Sequence, residues 1–173
     1  MDIAYITTTE QGKTDTVLAE VAGLLALRGL QLAGVVQTNS DSPDCRGCDM
    51  DVRVLPDGPT IRISQSLGKE ARGCKLDPSA LEEAVVEVQS RLNADSALLI
   101  LNKFGKHEAD GRGFRDLIAE ALSLGLPVVT AVNQMNEAAF LEFSGGLAIK
   151  LPTSAAAIVD WATDKIAGRS TAA

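Results

Sequence analysis

Gly12-Lys13-Thr14 is the tripeptide of this chain whose chemistry is most specific. It matches the second half of the phosphate-loop pattern GxxxxGK[ST]. In that loop, turn N–H groups and a helix N-terminus cradle an anion, the lysine reaches the outer phosphates, and the hydroxyl holds magnesium. The loop would comprise Thr8, Thr9, Glu10, Gln11, Gly12, Lys13 and Thr14, with Thr7 standing where the first glycine belongs. Threonine pays a conformational cost wherever glycine's left-handed freedom is needed, so an anion cradle is expected before a working triphosphatase. The second expected residue is an acid at the end of a neighbouring strand, which helps to hold magnesium. The apolar run Ala97–Leu101 ends instead in Asn102, which accepts a hydrogen bond but brings no charge. Glu108 is the first candidate to position water or metal in its place. Asp110 lies in the same loop, and Asp44, Asp49 and Asp51 are alternatives from another.

Cations gather in two places. Lys103, Lys106, Arg112 and Arg115 fall in one loop region, and Arg62, Lys69, Arg72 and Lys75 in another. Guanidinium groups grip phosphate-like oxyanions bidentately. Lys106, Arg112 and Arg115 are expected to face the ligand. Arg112 and Arg115 would offset charge developing on a transferred phosphoryl group, with Glu108 completing a catalytic set. Asn102 and Lys106 would join the loop in binding the cofactor. A different chemistry is open to Cys45, Cys48 and Cys74. Three thiolates could hold a metal, with His107 or an Asp as fourth ligand, or serve as a redox switch, although a single C-x2-C pair is a weak signal.

These residues need elements to position them. An apolar strand Ile3–Thr7 runs into the turn Thr8–Gly12. A helix from Thr14 to Arg28 follows, with Val17, Leu18, Val21, Leu24 and Leu25 at helical spacing and Gly29 as terminator. Leu30–Thr38 reads as the next strand, and strand, helix and strand in so short a span predict a parallel βαβ unit. Asp51–Leu55 and Thr60–Ser64 flank Pro56-Asp57-Gly58-Pro59 and predict a hairpin insertion. Pro78–Leu92 is an amphipathic helix. Ala97–Leu101 reads as a doubly covered central strand. A polar loop to Gly113, a helix Phe114–Leu124 and a strand Pro127–Val132 follow. The helix Asn136–Phe143, the strand Leu147–Lys150 and the helix Thr153–Ala167 complete the pattern. Such alternation predicts an α/β fold with a mostly parallel, doubly wound, P-loop NTPase-like sheet in one domain, 1–168, followed by a disordered tail, 169–173. In that architecture ligands bind beyond the carboxyl ends of the strands, which is where the phosphate loop, the cysteines and the cations all fall.

Composition narrows the rest. At 173 residues one domain with a real core is expected. Apolar residues make up 46% and aromatics only 3%, so Leu, Val, Ile and Ala must build that core, as a buried parallel sheet requires. The net charge of −7 argues against a general nucleic-acid binder. No apolar run is long enough to insert in a membrane and no leader is evident, so a cytoplasmic protein is expected. An odd three cysteines argue against a disulfide framework.

Two resemblances follow from these stretches. Asn102-Lys103-Phe104-Gly105-Lys106-His107-Glu108, with Phe114 beyond, resembles the Asp-Glu-x-Gly-Lys-Met-Glu motif of a small family of P-loop nucleoside triphosphatases from thermophiles, related to a cancer-linked human enzyme. Gly105, Lys106 and Glu108 match, whereas Asn102-Lys103 replaces the acidic pair on which magnesium handling depends. GLQLAGVVQTN, CDMDVRVLPDGPTIRISQSLG, RGCKLDP and NKFGKHEADGRGFR together resemble an uncharacterised bacterial family encoded near molybdate-transport genes. Its members are sometimes labelled as the ATP-binding part of a molybdenum transporter, although this chain has no ABC signature. The resemblances imply a slow nucleoside triphosphatase using ATP or GTP with magnesium, linked to molybdenum metabolism. The alternatives are a non-enzymatic binder of molybdate or a like oxyanion, and a cysteine-based metal or redox interaction protein. The expected partner is a small anion or nucleotide, with self-association into a homo-oligomer left open.

Overall fold

The computed structural model describes residues 1–40, 49–65 and 76–170. Cys45, Cys48 and Cys74, together with Asp44, Lys69, Arg72 and Lys75, lie outside these residues. In chain order the elements are β1 (Ile3–Ile6), α1 (Lys13–Leu27), β2 (Leu32–Ser40), β3 (Asp49–Val54), β4 (Thr60–Arg62), α2 (Pro78–Gln89) and β5 (Leu98–Phe104). Then follow α3 (Lys106–Ala109), α4 (Arg115–Ser123), β6 (Val128–Val132), α5 (Glu137–Phe143), β7 (Ile149–Lys150) and α6 (Ala155–Ser170).

The strands form one seven-stranded sheet in the order β4-β3-β2-β5-β6-β1-β7. All neighbours from β2 to β7 are parallel, and the β3–β4 hairpin is antiparallel at one edge, as the sequence predicts. The expected direct pairing of the first two strands does not occur. β1 pairs with β6 and β7, and β2 pairs with β5 and β3, so α1 carries the chain across two intervening strands. The physical reason is burial. Leu98–Leu101 and Val128–Val132 have no exposed face and take the centre of the sheet.

Helices cover both faces. Val17, Leu18, Val21, Ala22 and Leu25 of α1 pack with Ile158, Val159 and Ala162 of α6 on one face. α2, α4 and α5 cover the other through Leu81, Ala84, Val88, Leu117, Ile118, Ala121 and Phe140. The few aromatics are concentrated on this second face. Phe104 meets Phe140 edge-on at 5.0 Å, and Tyr5 meets the same ring at 5.3 Å. At Gly34 (φ 109°) β2 approaches β5 so closely that a Cβ would lie 1.9 Å from the Ile100 carbonyl oxygen.

Several boundaries differ from expectation, and two of the differences have a visible cause. β5 continues past Leu101 to Phe104, because Asn102 bonds to the backbone of β2 and Phe104 is fully buried. The last helix extends to Ser170, where the Arg169 guanidinium donates to the Ser96 carbonyl at 3.0 Å. Position 169 is therefore helical and tethered rather than part of a disordered tail. No helix among the described residues is long and apolar enough to cross a membrane.

Candidate functional site

Gly12, at φ 73°, turns the loop into α1. No residue other than glycine has a positive φ among those described, so Thr7 adopts an ordinary conformation and incurs no penalty for lacking glycine. Thr7 instead ties the loop to the segment just before α6, its carbonyl accepting the Thr153 hydroxyl at 2.9 Å. The loop is partly self-supporting, since Thr8 Oγ1 accepts the Glu10 N–H at 3.1 Å. The N-terminus of α1 has no side-chain cap, and the Lys13 N–H reaches the Glu10 carbonyl only at 3.4 Å. Uncapped first-turn amides with the positive end of a helix dipole behind them attract an anion.

That terminus opens on a cleft of about 190 Å³ at the carboxyl ends of β1, β5 and β6. Thr8, Thr9, Glu10, Gln11, Gly12 and Thr14 line it. Lys13 is exposed and does not line the cleft; Lys103, at the end of β5, does. Asp15 also lines the cleft, and sequence reasoning missed it.

Asp15 is buried, at 7% exposure, and its carboxylate is held by two side-chain amides. Asn102 Nδ2 donates to Oδ1 at 2.6 Å, and Asn39 Nδ2 donates to Oδ2 at 2.5 Å. The orientation of Asn102 is fixed by a backbone group, because its Oδ1 accepts the Gln37 N–H at 2.8 Å. Gln37 Nε2 in turn donates to Asn39 Oδ1 at 2.7 Å. Asn102 thus accepts on one side and donates on the other, which an aspartate cannot do. The acid missing from the strand end is matched by one on the helix beside it. Asp15 and the Thr14 hydroxyl give the cleft hard oxygen donors, which suit a magnesium ion that keeps part of its water shell. Among the described residues no group of three or more His, Cys, Asp or Glu side chains gathers to hold a metal, in this cleft or outside it.

The expected catalytic set does not reach this cleft. Glu108, 4% exposed, gives both carboxylate oxygens to backbone: Oε2 accepts the Gly105 N–H at 2.8 Å and Oε1 the Phe114 N–H at 3.1 Å. It clamps the segment between β5 and α4 and is not poised to position water or metal. Arg115 lies 4.5 Å over the Phe143 ring and donates to the Glu108 carbonyl at 3.1 Å. Lys106 pairs with Asp110 at 3.3 Å at the surface. Arg112 lines a separate cleft of about 450 Å³ between α2 and the start of α4, with His107, Glu82 and Asp116. The reason is packing. Phe104 and Phe114 anchor this segment on the face covered by α2 and α4, and its cations follow it there.

Beneath the neighbouring edge of the sheet, the Tyr5 hydroxyl donates to Glu137 Oε1 at 2.8 Å, and Lys150 Nζ donates to the same oxygen at 2.9 Å. Burial and the adjacent carboxylate push the Tyr5 phenol up to about 12, while the Lys150 and Tyr5 hydrogen bonds hold Glu137 below its usual range.

The model of a family described as "Protein of unknown function (DUF2478)" matches residues 3–161. The chain belongs to the DUF2478 family. This DUF2478 chain is also 38% identical over 164 residues to the "Molybdenum import ATP-binding protein ModC 2" of Bradyrhizobium diazoefficiens. The match covers 94% of the chain but only 18% of that relative's length. In structure, the DUF2478 fold is similar to a human cancer-related nucleoside triphosphatase, with a TM-score of 0.64, 17% identity and 87% of each chain covered. It is likewise similar to THEP1 from the hyperthermophile Aquifex aeolicus, with a TM-score of 0.63 and 16% identity, covering 89% of this chain and 90% of that one. These likenesses establish the P-loop NTPase-like, mostly parallel α/β fold.

Proposed function

We propose that this domain binds ATP or GTP as the magnesium complex, and that any hydrolysis it carries out is slow. One observation carries the reading: the uncapped N-terminus of α1, behind the left-handed Gly12, opens on a strand-end cleft that Thr14 and Asp15 line. The fold shared with a human nucleoside triphosphatase and with THEP1, and the likeness to an ATP-binding protein, support it. In this reading the first-turn amides of α1 hold phosphate oxygens. Lys103 lines the cleft, and Lys13, exposed at the first position of α1, would swing over it, so that both offset phosphate charge. Thr14 and Asp15 hold the magnesium, which when bound neutralises the outer phosphate oxygens. Slow turnover is supported by the engagement of Glu108 and Arg115 in structural contacts. A cytoplasmic protein whose partner is a small molecule rather than nucleic acid completes the proposal.

Calorimetric titration with ATP and GTP, with magnesium and with EDTA, tests it. Binding below millimolar concentration that weakens in the Lys13→Ala/Lys103→Ala variant is expected. No binding by either nucleotide would end the reading. The word molybdenum in the relative's name favours a second reading, in which the anion is molybdate. Titration with molybdate in place of nucleotide distinguishes the two.

A further inference from the structure

The cleft that offers an anion the N-terminus of a helix also contains a buried carboxylate. Asp15 sits in the first turn of α1, 7% exposed, and lines the same space as the loop that would hold the anion. Glu10 lines it too, and among the described residues Lys103 is the one lysine that does. Among the described residues the hydrogen-bond partners of Asp15 are the neutral amides of Asn102 and Asn39, which satisfy its oxygens without cancelling its charge. A bare dianion entering this cleft therefore meets a like charge in a place where water screens it poorly. A phosphate chain accompanied by a divalent cation does not, because the cation lies between the two negative groups.

We infer that Asp15 is the specificity-determining residue of the cleft: it makes the site select an anion that brings its own divalent cation and reject the free anion. This rests on the nucleotide-binding reading above and goes further, in assigning the discrimination to one residue that the phosphate-loop pattern does not include. It also explains Asn102. The strand end and the helix have exchanged chemistry, so that the acid is on α1 and the amide on β5. Asn102 is a positioning residue, since it fixes Asp15 through a bond whose other end is the Gln37 backbone.

The test is the ratio of nucleotide affinities measured with magnesium and with EDTA, in four proteins. The parent should prefer the magnesium complex. Asp15→Asn should reduce that preference roughly tenfold or more, both by strengthening binding of the free nucleotide, which no longer meets a like charge, and by weakening that of the magnesium complex, which loses a ligand. The double exchange Asp15→Asn/Asn102→Asp returns a carboxylate to the strand end and keeps every hydrogen bond of the pair, so it should recover the preference. Lys103→Ala should weaken both forms of the nucleotide. Melting temperatures establish that each variant is folded, and the double exchange keeps the test decisive should the single variant fail to fold. A parent that binds nucleotide equally with and without magnesium overturns the inference while leaving the nucleotide reading intact. So does an Asp15→Asn protein that retains the full preference, or a double exchange that does not recover it. A parent that binds no nucleotide in either condition overturns both.

Discussion

Replacing Asn102 with aspartate supplies the acid that a phosphate-loop strand end is expected to carry, and it should damage the site rather than repair it. Asn102 donates to Asp15 at 2.6 Å and accepts from the Gln37 N–H at 2.8 Å. Aspartate keeps the acceptor and loses the donor. A hydrogen bond to a charged group contributes roughly 1.5–3 kcal/mol. In addition, two carboxylate oxygens would face each other across a buried contact, and an unmatched charge of that kind brings the total to about 3–5 kcal/mol. For a domain of this size that corresponds to a fall of about 6–20 °C in melting temperature. Melts followed by circular dichroism at pH 7 read it directly. The deficit should shrink on acidification, since a proton shared between the two carboxyls restores a hydrogen bond. Adding Asp15→Asn should return stability to within about 1 kcal/mol of the parent, because the exchanged pair makes the same bonds. A single Asn102→Asp variant that melts with the parent at pH 7 would refute the reasoning, as would a double exchange less stable than the single one.

Gly34→Ala forces a Cβ to within 1.9 Å of the Ile100 carbonyl oxygen at a φ of 109°, and should cost more than about 4 kcal/mol, seen as loss of soluble protein. Glu108→Gln removes one of two acceptors for the Gly105 and Phe114 N–H groups and should destabilise by about 1–2 kcal/mol in urea melts. The same variant should leave nucleotide affinity within about twofold; lost binding at unchanged stability would contradict the structural role. Tyr5 is the chain's single tyrosine, so its ionisation can be read as one ultraviolet transition. That transition should centre near 12 rather than 10.0. A phenol raised in the folded state adds stability that is complete below the unfolded value and disappears as pH rises through the folded one, so alkaline melts should steepen between these limits and Tyr5→Phe should abolish the effect. Glu137 is shifted the other way, so its contribution should be present at neutral pH and fade as pH falls through its depressed value.

The strand, turn and helix start around Thr8–Thr14 were legible in the sequence because they form a local pattern, all close together along the chain. The alternation of apolar runs and amphipathic stretches likewise fixed the layers and the hairpin. What it could not fix was which strands become neighbours. The length of α1 is compatible with a step to the next strand or across two, and only competition for the buried centre decides that. Glu108 was misread because a charge in a polar loop looks available until its backbone partners are known. The nearby Gly113, where a Cβ would come within 2.3 Å of the Glu108 carboxylate, is the trace of that close packing. Asp15 carried a usable signal that was passed over. It lies at helical spacing with Leu18, Ala22 and Leu25, so an acid was placed on the face that must be buried. A buried acid needs partners, and the two amides that serve it come from other strands, far away in sequence.

The position of β1 bears on how the domain is made. The strand that leads into the phosphate loop finds its sheet partners only among residues 128–132 and 149–150. During synthesis at ordinary rates, the loop therefore waits roughly seven to twenty-seven seconds after its own emergence before its supporting strands exist. A ligand that needs the finished cleft cannot guide the early stages of folding; it can only stabilise the chain once nearly all of it is assembled. Occupancy of the cleft thereby reports that β6 is in place beside β1, and a chain cut short before β6 would lack part of the cleft's lining.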